Sequence, residues 1–254
     1  MNKKIALVTY TNSVMSDVWP LYFGQLDKHA PELKSYVFCD SFDKNSACLK
    51  NHNLLQYNNS DHYYKQYMGC LERVEEDYII YSQEDFFLYD SINYKKIHEY
   101  CDFLDRSDHS FVRLIRAGYR HGLDVHAERD LWEVDINSDD AFSMQVTLWK
   151  KSQIKKLYDN VKSEKWLEAD HWNVGCRDSN ISGVFCYNGE NKKGKFHYDS
   201  LVYPYTCTGI NRGKWNINEY GDFLLKMFKV YNIDPDRRGL RLTYNQYTEG
   251  IKDR

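Results

Sequence analysis

Three short apolar runs fall within the first 85 residues, and helix-forming segments separate them. That alternation constrains the fold more than any other feature of the chain. The runs are KIALVTY (4–10), KSYVFC (34–39) and YIIYS (78–82). Each is too short for an ordinary helix and is bounded by polar residues, the mark of a buried strand. Between the first two, Val18, Leu21, Tyr22 and Leu26 recur at helical spacing over 17–29. Ser16 or Asp17 is placed to cap that helix, and Pro20 is tolerated in its first turn. After the second run, a polar and irregular stretch (42–60) leads to a helix from Asp61 to about Val74, with Tyr64, Met68 and Leu71 on one face. A β-α-β-α-β order predicts an α/β fold whose parallel, doubly wound sheet carries helices on both faces. Ligands of such sheets lie beyond the carboxyl ends of the strands. Thr9, Tyr10, Thr11 and Asn12, then Asp40 and Ser41, then Gln83, Glu84 and Asp85 stand at those ends.

The remaining pattern extends the same plan. It predicts a helix over 93–105, a strand over 111–116 and a long loop over 117–140. In FSMQVTLW (142–149), Phe142, Met144, Val146 and Leu148 alternate with Ser143, Gln145 and Thr147, as a strand requires. Helices are expected from Ser152 to about Val161 and over 164–174, strands over 184–187 and 200–205, and a last helix over 218–231. The tail after Asp234 reads as a surface extension. With 254 residues, one large domain is expected over 1–216, with a helix and tail (217–254) packed on it or extending from it.

Composition excludes several classes. The formal net charge of -3 gives no global basic field, so nucleic acid is not an expected partner. The seven cysteines form no CxxC pair and are odd in number, which indicates neither a disulfide framework nor a zinc site. No leader is seen after MNKK, and no apolar run approaches the ~20 residues of a membrane span. These features predict a reduced, cytoplasmic setting. Lys226, Lys229, Arg237, Arg238 and Arg241 suit either a peripheral contact with a membrane-borne acceptor or, more ordinarily, a solvated helix face and tail. The 22 tyrosines and six tryptophans suit sugar or base surfaces as well as a core.

Three stretches carry chemistry. In YIIYSQEDFFLYD (78–90), Glu84 and Asp85 interrupt an otherwise apolar segment. They are either a solvated turn or a cation site at a strand end, and the apolar flanks favour the second because an unpaired buried carboxylate is costly. In KWLEADHW (165–172), Glu168 lies near His171 and Trp172 on a helix, where aromatic surface raises a carboxylate's pKa and suits a general base. An ordinary amphipathic helix gives the same pattern, and Asp170 is equally placed for the role. In CTGINRGKW (207–215), two glycines with Arg212 and Lys214 make either a routine surface turn or a flexible positive loop able to close over a diphosphate. The histidines show no metal-ligand spacing and read as structural or surface residues.

The pieces DYIIYSQEDFFL, FSMQVTLWKKSQIKKL, the WLE of 166–168 and YPYTCTGINRGKW together resemble the ordered blocks of the GT-A-type glycosyltransferases, the bacterial and viral nucleotide-sugar transferases related to the large inverting family. The resemblance covers about residues 4–216. It implies a Rossmann-type mixed sheet in a single domain, a nucleoside-diphosphate-sugar donor and a glycan or glycoconjugate acceptor. It also implies site residues. Thr9, Tyr10 and Asn12 would face the base and ribose, and Asp40 would contact the base. Gln83-Glu84-Asp85 would stand in place of the DxD motif, with Asp85 holding a divalent cation (Mn²⁺ or Mg²⁺). Gln145 would lie on a strand near the transferred sugar, Glu168 would act as base in inversion, and Arg212 and Lys214 would belong to the closing loop. Gln83 departs from the motif, since an amide supplies no charge, and this puts metal dependence in question.

Two other classes compete. A nucleotidyltransferase carries a Gly-rich basic loop after its first strand, whereas TYTNSVMSD has no Gly, Lys or Arg. A non-catalytic glycan- or nucleotide-sugar-binding protein of the same fold is compatible with Gln83.

Overall fold

In the computed structural model, residues 3–43, 46–116, 126–128, 130–138, 141–165, 169–187, 191–194, 197 and 199–242 are described. The apolar runs become the middle of the sheet because both of their faces are covered. Strand β1 (Ile5–Tyr10), helix α1 (Trp19–His29), strands β2 (Lys34–Cys39) and β3 (Asn53–Gln56), helix α2 (Tyr63–Leu71) and strand β4 (Tyr78–Gln83) come first. Helix α3 (Tyr94–Arg106), strands β5 (Phe111–Arg113), β6 (His126–Glu128), β7 (Leu131–Glu133) and β8 (Thr147–Lys150), helices α4 (Lys151–Val161) and α5 (Ala169–Asp178) and strand β9 (Gly183–Cys186) follow. Strands β10 (Ile210–Asn211) and β11 (Lys214–Trp215) and helix α6 (Ile217–Val230) complete the described elements.

Among the described residues, nine strands form one sheet in the order β3-β2-β1-β4-β8-β5-β9-β7-β6. The β3-β2-β1-β4 half is parallel, as the β-α-β-α-β pattern requires. β8 then inserts antiparallel between β4 and β5, and β7 and β6 close the other edge antiparallel, so the sheet is mixed. The chain steps from β1 to β2 to β3 in one direction, and β4 then pairs on the opposite side of β1. Strand order therefore reverses between β1 and β4, and the crevice outside their carboxyl ends is the topological switch point of the fold.

Alternation along the strands divides the core into two layers. Leu7, Val37 and Ile80 pack on one face with α1, α3 and α6, the last supplying Leu224 and Phe228. Ala6, Val8, Phe38, Ile79 and Tyr81 pack on the other with Tyr67 and Leu71 of α2, Leu157 and Tyr158 of α4 and Trp172 of α5. Much of the aromatic surplus is spent here. Tyr67 stacks on Tyr158 at 4.3 Å between ring centroids, and the Tyr63 and Tyr158 hydroxyls are 2.7 Å apart.

Local differences from the sequence pattern have identifiable causes. No side chain caps α1, since Asp17 is turned toward Arg238, and Asn12 instead caps a short 3-10 turn at Ser13–Met15. The irregular stretch after β2 contains the edge strand β3, and the expected loop over 117–140 contains the β6–β7 hairpin. The alternating run before α4 pairs only from Thr147, and 200–205 forms no strand beyond an isolated bridge between Leu88 and Tyr205. The described part of the segment after Asp234, as far as Leu242, is not an extension. Leu240 bridges to Trp215, and Arg238 and Arg241 bond back to the body of the protein.

Ile80 lies at the centre of β4 with no exposed surface, whereas Leu54 on edge strand β3 is 36% exposed. Ile80→Ala is expected to cost about 2–5 kcal/mol in denaturant unfolding, and Leu54→Ala about 0.5 kcal/mol or less. Equal losses for the two variants would contradict the layer assignment.

Candidate functional site

The acidic turn follows from burial on both of its sides. β4 ends at Gln83, and the Phe86 N–H donates to the Gln83 carbonyl at 3.1 Å, so Glu84 and Asp85 occupy the middle of a tight turn. Phe86, Phe87 and Leu88 are then buried again, as an irregular strap rather than a strand. The strap is stitched to the 204–206 segment. Phe87 N–H donates to Thr206 Oγ1 at 3.0 Å, Thr206 N–H to the Phe87 carbonyl at 2.9 Å, and Tyr89 N–H to the Pro204 carbonyl at 3.0 Å. Strand and strap pull the backbone inward, and the two acids are left at the switch-point rim.

Both carboxyls are half-buried and hold their protons unusually well. Burial, then the adjacent Asp85 charge, pushes Glu84 up to about 8, against hydrogen bonds from its own backbone and Thr11 and the charge of Arg238. Burial pushes Asp85 up to about 7, against hydrogen bonds from Ile210 N–H and its own backbone and the same guanidinium. Thr11 is oriented for this, because Trp19 Nε1–H donates to its Oγ1 at 3.0 Å and leaves the hydroxyl hydrogen free for Glu84. Arg238 is held by Asp17, with Nε and Nη2 donating at 2.6 and 2.5 Å, and Nη2 also reaches the Val14 carbonyl at 3.2 Å. Thr11 and Arg238 are thus site residues that spacing did not single out. Thr11 had its place in the strand-end cluster as a signal. Arg238 had none beyond its charge.

The first loop is built around Asp40. Its two carboxyl oxygens accept from Ser13 N–H at 2.7 Å and Ser13 Oγ–H at 2.9 Å. Burial raises its pKa, but the hydrogen bonds from Ser13, Cys39 and Ser41 outweigh that and hold it below the usual carboxylate range. Asp40 therefore fixes the loop that overhangs the crevice. Asn12 caps the turn through Val14 N–H at 3.1 Å. Tyr10 is half-buried, its hydroxyl donates to Gln66, and its ring stacks on Tyr57 at 5.2 Å. Thr9 does not reach the crevice. It is fully buried, and its hydroxyl meets the Tyr22 hydroxyl at 2.8 Å on the α1 side of the sheet, so the expectation that it faces a ligand is corrected. Gln83 is also tied inward, its Nε2–H donating to the Tyr81 hydroxyl at 3.0 Å.

The 207–215 segment is a tight hairpin rather than a flexible loop. Arg212 and Gly213 take φ of 50° and 76° in the two-residue connection between β10 and β11, the geometry of a type I′ hairpin. Its base rests on the acidic turn. Gly209 N–H donates to the Asp85 carbonyl at 2.9 Å, and a Cβ at Gly209 would stand 2.2 Å from the Phe87 ring and 2.7 Å from that carbonyl. Arg212 and Lys214 are exposed at the hairpin tip. Gln145 precedes β8 rather than lying on a strand. Its Oε1 accepts from the Tyr205 hydroxyl at 2.8 Å and its Nε2–H donates to the Cys207 carbonyl at 3.2 Å. It holds the strap and hairpin segments together.

Trp166, Leu167 and Glu168 lie outside the described residues. Asp170 lies in the first turn of α5. No cluster of three or more His, Cys, Asp or Glu suited to a metal is found among the described residues. The adjacent Glu84 and Asp85 supply two hard oxygen donors, and their burial leaves negative charge only partly offset. That donor set fits Mg²⁺ or Mn²⁺ bound through one or two carboxylates together with substrate phosphates. No helix among the described residues is long and apolar enough to cross a membrane.

No family model matches the chain, and no curated protein does. Among solved structures, it is similar to residues 1–349 of TarS from S. aureus in complex with UDP, with 15% identity and a TM-score of 0.49, over 77% of this chain and 60% of that one. It is similar to the apo form of the glycosyltransferase GlyE of Streptococcus pneumoniae TIGR4, with 16% identity and a TM-score of 0.46, over 72% and 45%. The bifunctional IspDF of Campylobacter jejuni gives 11% identity and a TM-score of 0.45, over 79% and 52%. The chain thus spans 60% or less of the length of these three proteins. Likenesses at this level assign neither family nor activity.

The raised carboxyls set a pH dependence. Ordinary Glu and Asp lose their protons near pH 4, whereas Glu84 and Asp85 keep theirs up to about 8 and 7 in the folded chain. The folded state then binds more protons than the unfolded one across that window, so their contribution to stability falls as pH rises through it. In chelator-containing buffer, Glu84→Gln/Asp85→Asn should lose less stability than the unsubstituted protein between about pH 5 and 9. Denaturant titrations giving the same slope for both would show that the two acids ionise freely.

Proposed function

We propose that the chain is a glycosyltransferase that moves a sugar from a nucleoside-diphosphate sugar to a hydroxyl acceptor, with inversion. The observation that carries this reading is the acidic turn at the switch point, set between the Asp40-anchored first loop and the Arg212–Gly213 hairpin, with Arg238 beside it. A doubly wound sheet binds its ligand in that crevice, and the mixture of acids and fixed cations there suits a diphosphate accompanied by a cation. The likeness of four ordered sequence blocks to GT-A enzymes supports the same reading.

In this proposal the nucleoside lies over the loop 11–16 and the Tyr10 ring, and the diphosphate extends toward the acidic turn. Asp85, with Glu84, would hold a divalent cation, which supplies charge neutralisation of the diphosphate when bound. Arg238, Arg212 and Lys214 add positive charge where the leaving group develops its negative charge. The acceptor oxygen attacks the anomeric carbon, the bond from that carbon to the diphosphate oxygen breaks, and the hydroxyl proton passes to a carboxylate base. Glu168 is the candidate from the sequence blocks. Asp170 is the other, at the start of α5.

Two measurements test this. Thermal-shift titrations with the diphosphates of adenosine, guanosine, uridine, cytidine and thymidine, with and without Mn²⁺, should identify a stabilising nucleotide. At a hundred times its Kd the gain is about 2.7 kcal/mol, and Asp85→Asn should reduce it. With the matching nucleotide sugar, slow release of the free diphosphate is expected. One of Glu168→Gln and Asp170→Asn should lose ~10²–10⁴-fold in turnover while binding the donor within a few-fold. Failure of all five nucleotides to stabilise the protein, or full turnover in both carboxamide variants, would overturn the assignment.

A further inference from the structure

A second concave surface lies away from the acidic turn. It is a groove of about 710 Å³ between the carboxyl-terminal half of α1 and α6, lined also by Lys193 and Gly194. Its size falls in the ~300–1,000 Å³ range of ligand sites. Its walls are fixed by internal contacts. Lys193 stands over the Tyr89 ring at 4.2 Å, and the Tyr89 hydroxyl donates to Asp199 at 2.8 Å. A Cβ at Gly194 would stand 2.5 Å from Glu219, so that backbone is pressed against the α6 wall. The Gln25 amide is spanned between the Leu88 carbonyl and the Tyr231 hydroxyl, the latter at 2.9 Å. α6 itself breaks from helical geometry at Tyr220 (φ -122°, ψ 30°), within the groove.

The chemistry of the walls is specific in sign. Lys28, Lys193 and Lys226 line the groove and are exposed. Of the two acids in the lining, Glu219 is turned inward, with its side chain 1% exposed and its Oε1 2.8 Å from His197 Nδ1. Asp222 alone faces the opening among the lining carboxylates of the described residues. Burial, then the neighbouring Lys28, holds the pKa of His29 below its usual value against the charge of Asp90, so the positive charge is carried by the lysines. Asn218 and Asp222 offer hydrogen-bond partners for hydroxyls, and Phe223 offers a ring face. Lysines, hydroxyl partners and an aromatic face in one trough match a sugar chain bearing negative charges. A membrane surface would call for cations on a flat or convex face.

We propose that this groove binds an anionic oligosaccharide and that it holds the distal part of the acceptor. The second half of this statement rests on the transferase reading. The first half does not. The link is structural, because α6 and the Tyr89 strap, which both line the groove, lead back to the rim. Tyr89 closes the strap that starts at Asp85, and Asn216, which bonds to the Thr208 and Gly209 carbonyls at the base of the hairpin, directly precedes α6.

The test uses the whole protein, with tetragalacturonate and a heparin-derived tetrasaccharide as charged probes and the methyl ester of tetragalacturonate as a neutral one. Calorimetry should show saturable binding of at least one charged probe and none of the ester. Lys28→Gln/Lys193→Gln/Lys226→Gln should weaken that binding at least ~10-fold and leave nucleoside-diphosphate binding within about two-fold. Amide shift changes on probe addition should centre on α6. Absence of binding by both charged probes, or equal affinity in the triple variant, overturns the groove assignment. Lysine-dependent probe binding in a protein that binds no nucleoside diphosphate would keep the groove and remove the transferase reading.

Discussion

Two carboxyls held side by side out of water at the end of a buried strand resist ionising, chiefly through burial and, for Glu84, also through the adjacent Asp85, and the groups around them offset part of that cost. Glu84 and Asp85 cannot move apart, because β4 on one side and the Phe86–Leu88 strap on the other are both buried. Three kinds of group offset the charge: the Thr11 hydroxyl, the Ile210 N–H and the Arg238 guanidinium. Each comes from a different part of the chain. The offset is incomplete, since both carboxyls still hold their protons well above the usual range. A site that is under-compensated alone is suited to a ligand that brings positive charge with it.

Arg238 shows how far this compensation depends on the whole fold. It is paired in bidentate fashion with Asp17, at a sequence separation of 221, and the two side chains are only 12% and 8% exposed. Removing one member of such a buried pair typically costs about 3–5 kcal/mol because the other is left uncompensated. The pair also explains why α1 begins without a side-chain cap. Asp17, well placed to cap it, is used instead to position a guanidinium beside the acids. A local gain of about 1 kcal/mol from a cap is given up for a charge at the switch point.

The parallel half of the sheet was legible because its evidence is local. Burial on both faces leaves continuous apolar runs, and KIALVTY, KSYVFC and YIIYS became β1, β2 and β4 with little change in their bounds. The mixed half was less legible for physical reasons. β5, β7 and β8 pair over only three or four residues, too few for a period to show. Thr9 was misread because a strand-end position says how near the rim a residue lies and leaves open which face it takes. Its alternation with Tyr10 puts it against Tyr22. The two glycines of CTGINRGKW left a routine turn and a flexible loop both open, because glycine at positive φ also makes the tightest hairpin turns. Arg238 was legible as a charge and nothing more, since only tertiary packing brings it to Asp17.

Cations therefore gather in two places that a net charge of -3 conceals. At the rim, Arg238 is locked by Asp17, while Arg212 and Lys214 stand free at a hairpin tip. In the α1–α6 groove, Lys28 and Lys226 sit on opposite walls, and Lys193 is held over Tyr89. Like charges facing each other across a groove are unfavourable for the folded chain, and long-range screening by salt removes only part of that cost. Asp222 at the opening and Asp90, whose charge reaches His29, do not together cancel three lysines. A ligand of opposite sign in the trough would relieve that cost, as a cation would at the acidic turn. The two surfaces are thus opposite in sign, and the strap from Asp85 to Tyr89 joins them, so under the proposal a chain bearing negative groups along its length would be drawn toward the groove and kept off the acids that a diphosphate and its cation would occupy.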